Sequence, residues 1–72
     1  MPLSMMEQGD TRKIMEFRGK EEMKRRLQDM GFTKGEYVRV AEENPGGMIL
    51  VVKGVKVALN RALADRIMVA EC

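Results

Sequence analysis

Residues 25–35 read RRLQDMGFTKG and carry the most telling pattern in this chain of 72 residues. The apolar positions of this stretch continue an upstream pattern, because Met23, Leu27 and Met30 stand at i, i+4 and i+7. That spacing places all three on one stripe of an α-helix. The stretch therefore predicts a helix that starts near Lys20 and turns one apolar face toward a core.

The end of this helix is marked by a glycine. Gly31 falls at the position after a helix end where a left-handed backbone is common, and Phe32 is placed to pack back on Leu27, as in a Schellman motif. Residues 33–36 then have the composition of a tight turn, with Gly35 inside it. We therefore interpret Gly31 and Gly35 as structural turn residues.

Charged residues flank the apolar stripe. Glu21 and Glu22 lie in the first turn, where they favour the helix dipole, and stand four residues before Arg25 and Arg26. With Lys24, the two arginines form a basic patch that could dock on an acidic protein surface, because arginine presents a planar fork of donors to carboxylates. The alternative is a solvated helix face whose cations pair with the two glutamates, since such surface ion pairs are common.

Short segments of β-compatible residues outside the helix predict strands. They lie at residues 11–17, 37–41, 48–52, 55–59 and 67–69. Turn signals precede or separate them at residues 9–10, 44–47 and 53–54. In the first strand, Ile14 and Phe17 are three apart, which suits a bent or bulged strand. Asn60 is a good N-cap for a single helical turn that reaches Asp65.

The order of elements is strand, helix, three strands, helical turn and strand. Five short strands in so small a chain bury one face only by curling into a partly open barrel, which also limits exposed edges. We therefore expect one mostly β domain over residues 1–72. It is an SH3-like barrel of about five strands, with one α-helix inserted after the first strand and a short helical turn before the last.

The composition argues against catalysis. The chain has no histidine, the usual general base and commonest transition-metal ligand, and its one cysteine, Cys72, cannot build a cysteine-rich zinc site alone. Neither of the phosphate-binding patterns G-x-x-x-x-G-K-[ST] and G-x-G-x-x-G occurs. We expect no enzyme activity, no catalytic residue and no cofactor.

The metal-binding alternatives are weak. The eight methionines are better explained as core filling than as a soft-metal site, because they show no sustained Met-x-x-Met pattern. The pairs Glu42-Glu43 and Glu71-Cys72 could hold a divalent ion at a contact between molecules, but nothing in the pattern requires it. We assign no metal site.

Hydropathy, cysteine content and net charge indicate the cellular location and the class of partner. Its longest uninterrupted apolar run is residues 48–52, far below the roughly 18 residues needed to cross a bilayer, and the N-terminus lacks the pattern of a signal peptide. A lone cysteine fits a reducing compartment, so we expect a cytoplasmic location. The net charge of +2 is too small to indicate a committed nucleic-acid binder.

Several positions together carry a family resemblance. They are Leu3-Ser4, Gly9, Ile14, Gly19, residues 26–32, Gly35, residues 57–59 and residues 64–69. This pattern resembles the ferrous iron transport protein A (FeoA) family over nearly the whole chain, and its most specific part is R-L-x-D-M-G-F followed by Gly35. One departure is Asn60, where a basic residue is expected, although Arg61 lies next to it.

The resemblance implies a small cytoplasmic SH3-like protein, without enzyme activity of its own, that supports a membrane ferrous iron transporter. The implied partner is the cytoplasmic GTP-binding domain of that transporter, which is FeoB-like. We expect no nucleic acid as partner, membrane association only through the transporter, and a monomer or weak homo-oligomer.

The residues proposed for partner contact lie on the helix. They are Lys24, Arg25 and Arg26, with Leu27 and Met30 as apolar anchors. For the two apolar residues the alternative is burial against the barrel beside Met23. The alternative function is a stand-alone regulatory module related to the C-terminal domain of metal-dependent repressors, which influences transcription or binds nucleic acid weakly through the basic helix.

Overall fold

The computed structural model describes residues 1–71, so Cys72 and the ion site considered at Glu71-Cys72 lie outside the described residues. Two helices and five strands follow in chain order. They are β1 (Thr11–Phe17), α1 (Glu21–Asp29), β2 (Tyr37–Asn44), β3 (Gly47–Val52), β4 (Val55–Asn60), α2 (Arg61–Ala64) and β5 (Ile67–Val69). The strands form an antiparallel sheet in the order β4-β3-β2-β1-β5. The predicted order of elements and the mostly β class are confirmed.

Strand β1 bends in its middle and belongs to two ladders. Residues 11–13 pair with β2, whereas the pairing with β5 runs from Ile14 to Phe17. The register shifts between Ile14 and Glu16, which confirms the predicted bulge. Because of this bend, one short strand joins the two parts of the sheet and curves it around the core.

The β2–β3 hairpin closes on a turn held by a side chain. Asn44 Oδ1 accepts hydrogen bonds from the backbone N–H groups of Gly46 at 2.9 Å and Gly47 at 3.0 Å. An asparagine that binds the backbone two residues further on forms an Asx turn. β2 extends to Asn44, beyond the predicted end at Ala41. The prediction ended too early because a register shift between Val40 and Glu42 interrupts the alternation on which it relied.

The core fills the concave side of the sheet. Its buried side chains are Leu3, Met6, Ile14, Leu27, Phe32, Val38, Val40, Met48, Leu50, Val52, Leu59, Ala64, Ile67 and Val69. Leu3 and Met6 reach it because residues 3–5 form a 3-10 turn, in which the Met6 N–H donates to the Leu3 carbonyl at 3.0 Å. No sequence pattern predicted an element at residues 3–6, so this part of the core was missed.

Helix α2 is fixed at its start by two polar side chains. Asn60 Oδ1 accepts from the Leu63 N–H at 2.8 Å, which confirms the predicted N-cap. Arg61 donates to the carbonyl oxygens of Ser4 and Asn44, each at 3.1 Å. The guanidinium therefore ties the N-terminal turn and the β2–β3 hairpin to α2.

Candidate functional surface

Helix α1 ends at a fully formed Schellman motif. The Gly31 N–H donates to the Gln28 carbonyl and the Phe32 N–H to the Leu27 carbonyl, both at 3.0 Å. Gly31 has a φ of +103°, in the left-handed region that only glycine adopts without strain. The Gly35 N–H then donates to the Ile14 carbonyl at 2.8 Å, which fixes the chain beyond the helix against β1. The orientation of α1 is thus set from its C-terminal end.

We call Lys24, Arg25 and Arg26 the basic helix surface. Arg25 and Arg26 are exposed, whereas Lys24 is about one-third exposed and its Nζ lies 3.6 Å from Glu21 Oε1. The predicted pairs Glu21–Arg25 and Glu22–Arg26 are not formed within 4.0 Å among residues 1–71. Lys24 stands one turn after Glu21, at i+3, and replaces Arg25 as its partner. Two guanidinium groups therefore remain without an ion-pair partner in the described chain.

The apolar residues of the predicted contact set face inward. Leu27 is completely buried, so it belongs to the core, and its inclusion among the partner contacts is corrected. Met30 is half-buried and packs against the core cluster with Met23. The cause is the stripe itself, because residues at i, i+4 and i+7 share the helix face that seats on the sheet. Among the proposed contacts, only the charged residues and the edge of Met30 are accessible.

A groove of about 400 Å³ opens beside the first turn of α1. It is lined by Gly19, Lys20, Glu22, Met23, Arg26 and Arg66. Lys20, Arg26 and Arg66 are exposed and form no ion pair among residues 1–71, while Glu22 is the single acidic residue of the lining. The groove is therefore cationic, with a thioether on its wall, and it continues the basic helix surface through Arg26.

The two sides of the groove come from distant parts of the chain. The Arg18 N–H donates to the Arg66 carbonyl at 2.7 Å, which brings the segment before α1 against the segment after α2. Gly19 allows the turn between β1 and α1 through its backbone, with a φ of +119°, whereas a Cβ built there would make only ordinary contacts with Met23 Sδ at 3.6 Å and Arg66 Nη1 at 3.7 Å. Sequence reasoning missed Lys20 and Arg66 as surface partners of Arg26. The only available signal was that Gly19 and Arg66 both belong to the family-like pattern.

The aromatic side chains bear on the alternative function. Tyr37 is 60% exposed and lies opposite Lys13 in the β1–β2 ladder. Phe32 is buried and Phe17 is half-buried. One exposed aromatic beside a lysine is a small platform for stacking a nucleic-acid base, and it lies on the sheet rather than on the basic helix surface.

Metal-ligand clusters and membrane-spanning helices are both missing from residues 1–71. Among residues 1–71 no group of three or more His, Cys, Asp or Glu side chains is arranged to hold a metal ion. None of the helices in the described chain has the length and apolar character needed to cross a bilayer.

The fold and this surface define a small SH3-like β domain with a cationic face. The FeoA domain profile matches residues 1–71, and the chain therefore belongs to the FeoA family. A crystal structure of an iron uptake regulatory protein (FeoA) superposes with a TM-score of 0.91 at 37% identity, covering 96% of this chain and 93% of the other. A search of curated protein sequences gave no match.

Two other solved structures extend the comparison. An FeoA protein of Stenotrophomonas maltophilia complexed with zinc is described as a prokaryotic SH3 domain protein. It has 26% identity and a TM-score of 0.80, and it covers 97% of this chain and 89% of its own, which confirms the predicted SH3-like class. A manganese-dependent transcriptional repressor has 22% identity and a TM-score of 0.90, with coverage of 97% of this chain and 35% of its own. The second likeness shows the fold alone.

Proposed function

We propose that this chain is a non-enzymatic cytoplasmic accessory protein of ferrous iron uptake, which acts by contact with the GTP-binding domain of a ferrous iron transporter. Membership of the FeoA family supports a role in ferrous iron transport. The observation that carries the contact is the pair of exposed arginines, Arg25 and Arg26, which lack an ion-pair partner among residues 1–71. Such side chains are available to carboxylates on another protein.

The basic helix surface and the groove together offer a continuous path for an acidic segment of the partner. The basic helix surface and the groove meet at Arg26, so an acidic segment of the partner can cross from one to the other. Met23 offers apolar contact inside the groove, and Glu22 limits how many carboxylates fit there. Rim charges of this kind chiefly increase the association rate and the specificity of a complex. The contact is therefore a selective electrostatic one.

The test is a binding titration with the purified GTP-binding domain of the transporter, in its GDP-bound and GTP-bound states. We expect the double variant Arg25→Glu, Arg26→Glu to bind about tenfold more weakly than wild type, the equivalent of about 1.4 kcal/mol. The matched control is Lys34→Glu, Arg39→Glu, which makes the same change of net charge at two other exposed positions. Its affinity should stay within about twofold of wild type, because exposed charges away from an interface contribute little.

Two results contradict different parts of the proposal. Equal losses in the test and control variants mean that net charge, and not the basic helix surface, governs binding. No complex with wild type in either nucleotide state rejects the GTP-binding domain as the partner.

The alternative function, a regulatory module that binds nucleic acid weakly, would use the exposed Tyr37 beside Lys13 on the sheet as well as the basic helix. It predicts that the logarithm of the binding constant for a DNA oligonucleotide falls with the logarithm of salt concentration, with a slope of about −0.7 to −0.9 per phosphate contact. Fluorescence anisotropy at about 50 and 200 mM salt measures this slope. A flat response, or no binding at the lower salt, rejects the alternative.

A further inference from the structure

The two ends of the sheet differ in how they are covered. At the β5 end, Pro2 forms a bridge with Met68, and the Val69 N–H donates to the Met1 carbonyl at 2.8 Å. At the other end no strand of residues 1–71 lies beside β4. Val55 is 60% exposed there, and Lys56 is exposed as well. β4 is therefore an uncovered edge strand, the kind of element that accepts a further strand.

The turn before β4 fixes which backbone groups point outward. Lys53 and Gly54 have φ values of +52° and +77°, as in a type I′ turn, so Val52 and Val55 exchange both of their hydrogen bonds. In an antiparallel ladder, bonded and non-bonded pairs then alternate along the strands. Lys56 and Ala58 therefore point both their N–H and C=O groups away from β3. Asn60 points only its N–H to this edge, because its carbonyl belongs to the first turn of α2, of which it is the N-cap.

The chain after β4 leaves this edge open. Arg61 donates to the Asn44 carbonyl and lies 3.8 Å from Glu43 Oε2, so α2 begins over the β2–β3 hairpin. That hairpin is on the side of β4 away from the free edge, because β3 and β2 follow β4 in the sheet. An incoming strand therefore meets no helix along most of β4.

We propose that the β4 edge pairs with the same edge of a second copy of this chain, in an antiparallel ladder whose two-fold axis passes beside Ala58. In this register Ala58 bonds its own counterpart, and the Asn60 N–H of one copy donates to the Lys56 carbonyl of the other, giving about four backbone hydrogen bonds. The charges fit, because each Lys56 meets a neutral amide. Centring the ladder on Lys56 would instead place two lysines opposite each other, which is unfavourable.

The side chains also support this register. The residue at the axis is alanine, which lets the two backbones approach without a steric clash. Val57 of one copy stands opposite Leu59 of the other on the concave face, so the apolar face continues across the junction. The contact uses neither the basic helix surface nor the groove, and it does not depend on the proposed function.

The test is sedimentation equilibrium of wild type, Ala58→Lys and Ala58→Glu between about 10 µM and 1 mM. This range suits an interface at the small end of protein contacts. Wild type should move from 8.2 kDa toward twice that mass as its concentration rises. Each variant should stay monomeric, because it places two like charges at the axis. An equimolar mixture of the two variants should recover the dimer, since lysine then faces glutamate.

The matched control is Thr11→Lys, which adds the same charge to an exposed position of β1, separated from β4 by two strands. It should dimerise as wild type does. Circular dichroism on every variant verifies that the fold is kept, which is expected because residue 58 is exposed. Monomeric wild type at the highest concentration overturns the proposal. The proposal is also overturned if Ala58→Lys dimerises in the absence of Ala58→Glu, or if the equimolar mixture of the two variants stays monomeric.

Discussion

Replacing Gly47 by alanine tests the packing of the β2–β3–β4 meander. Gly47 is the first residue of β3 and is buried opposite Asn60. A Cβ built on it would lie 2.6 Å from the Leu59 carbonyl oxygen and 3.2 Å from the Asn60 Cα. Both are backbone atoms of β4, so no side-chain rotation relieves the contact. The two strands must move apart where β4 meets the N-cap of α2.

The cost of this displacement follows from packing. Inserting a methyl group into a close-packed site costs about 1–3 kcal/mol, and the rigid neighbours of Gly47 place it in the upper half of that range. Alanine also lowers the conformational entropy of the unfolded chain, which stabilises the folded state by about 0.4–1 kcal/mol. We therefore expect a net loss of about 1–2.6 kcal/mol. For a domain of this size that lowers Tm by roughly 4–21 °C, at about 4–8 °C per kcal/mol.

The assay is thermal unfolding followed by circular dichroism, with Gly46→Ala as matched control. A Cβ at Gly46 would lie 3.4 Å from Asn44 Oδ1, an ordinary contact with a side chain, so this variant should unfold within about 3 °C of wild type. Equal Tm values for the Gly47 variant and wild type would refute the steric argument. A similar loss at both glycines would locate the effect in the turn and not in the approach of β3 to β4.

Three further substitutions test the helix ends and the core. Gly31→Val should lower the free energy of unfolding, measured in urea, by at least about 1–2 kcal/mol, because Gly31 has a left-handed backbone. Gly31→Asn should lower it less, since asparagine tolerates that conformation. An unchanged urea midpoint for Gly31→Val contradicts this prediction. Leu27→Ala should lower the free energy of unfolding by about 2–5 kcal/mol, because the side chain is fully buried. A loss below about 1 kcal/mol would indicate that α1 does not pack on the core. Asn60→Ala should cost about 0.5–2 kcal/mol in thermal unfolding, whereas Asn60→Asp should keep most of the cap.

The parts of the fold that sequence predicts best are those set by neighbouring residues. The stop of α1 needs only Gly31 and the apolar residues around it, and the α2 cap needs only Asn60 and Leu63. The bulge in β1 was also predictable, because the spacing of Ile14 and Phe17 breaks strict alternation. Each of these signals lies within a few residues, so it is visible without tertiary information.

The rest of the fold depends on contacts between distant segments. The 3-10 turn that buries Leu3 and Met6 carries no strong local pattern, and it is fixed by the donation of Arg61 to the Ser4 carbonyl. β2 continues past Ala41 because β3 supplies a partner there. Tertiary context overrides local preference in both places.

The candidate surface was predicted only in part. Lys24, Arg25 and Arg26 are accessible, as a charged run in a short helix suggests, but the sequence could not tell which cation pairs with Glu21, because i+3 and i+4 partners are nearly equivalent. Arg66 joins Arg26 at the groove only through the fold. No sequence spacing marks two residues so far apart as neighbours.

The double membership of β1 has a consequence for folding kinetics. The β2–β3–β4 hairpins join residues that are close in sequence, whereas the β1–β5 ladder joins Ile14 to Val69, near opposite ends of the chain. Closing so long a loop is entropically costly and slows folding. The β1–β5 amide protons should therefore gain protection late in a pulsed hydrogen-exchange experiment, after those of β3. Because Arg66 enters the groove in the same step, the cationic face is completed only when the last ladder forms.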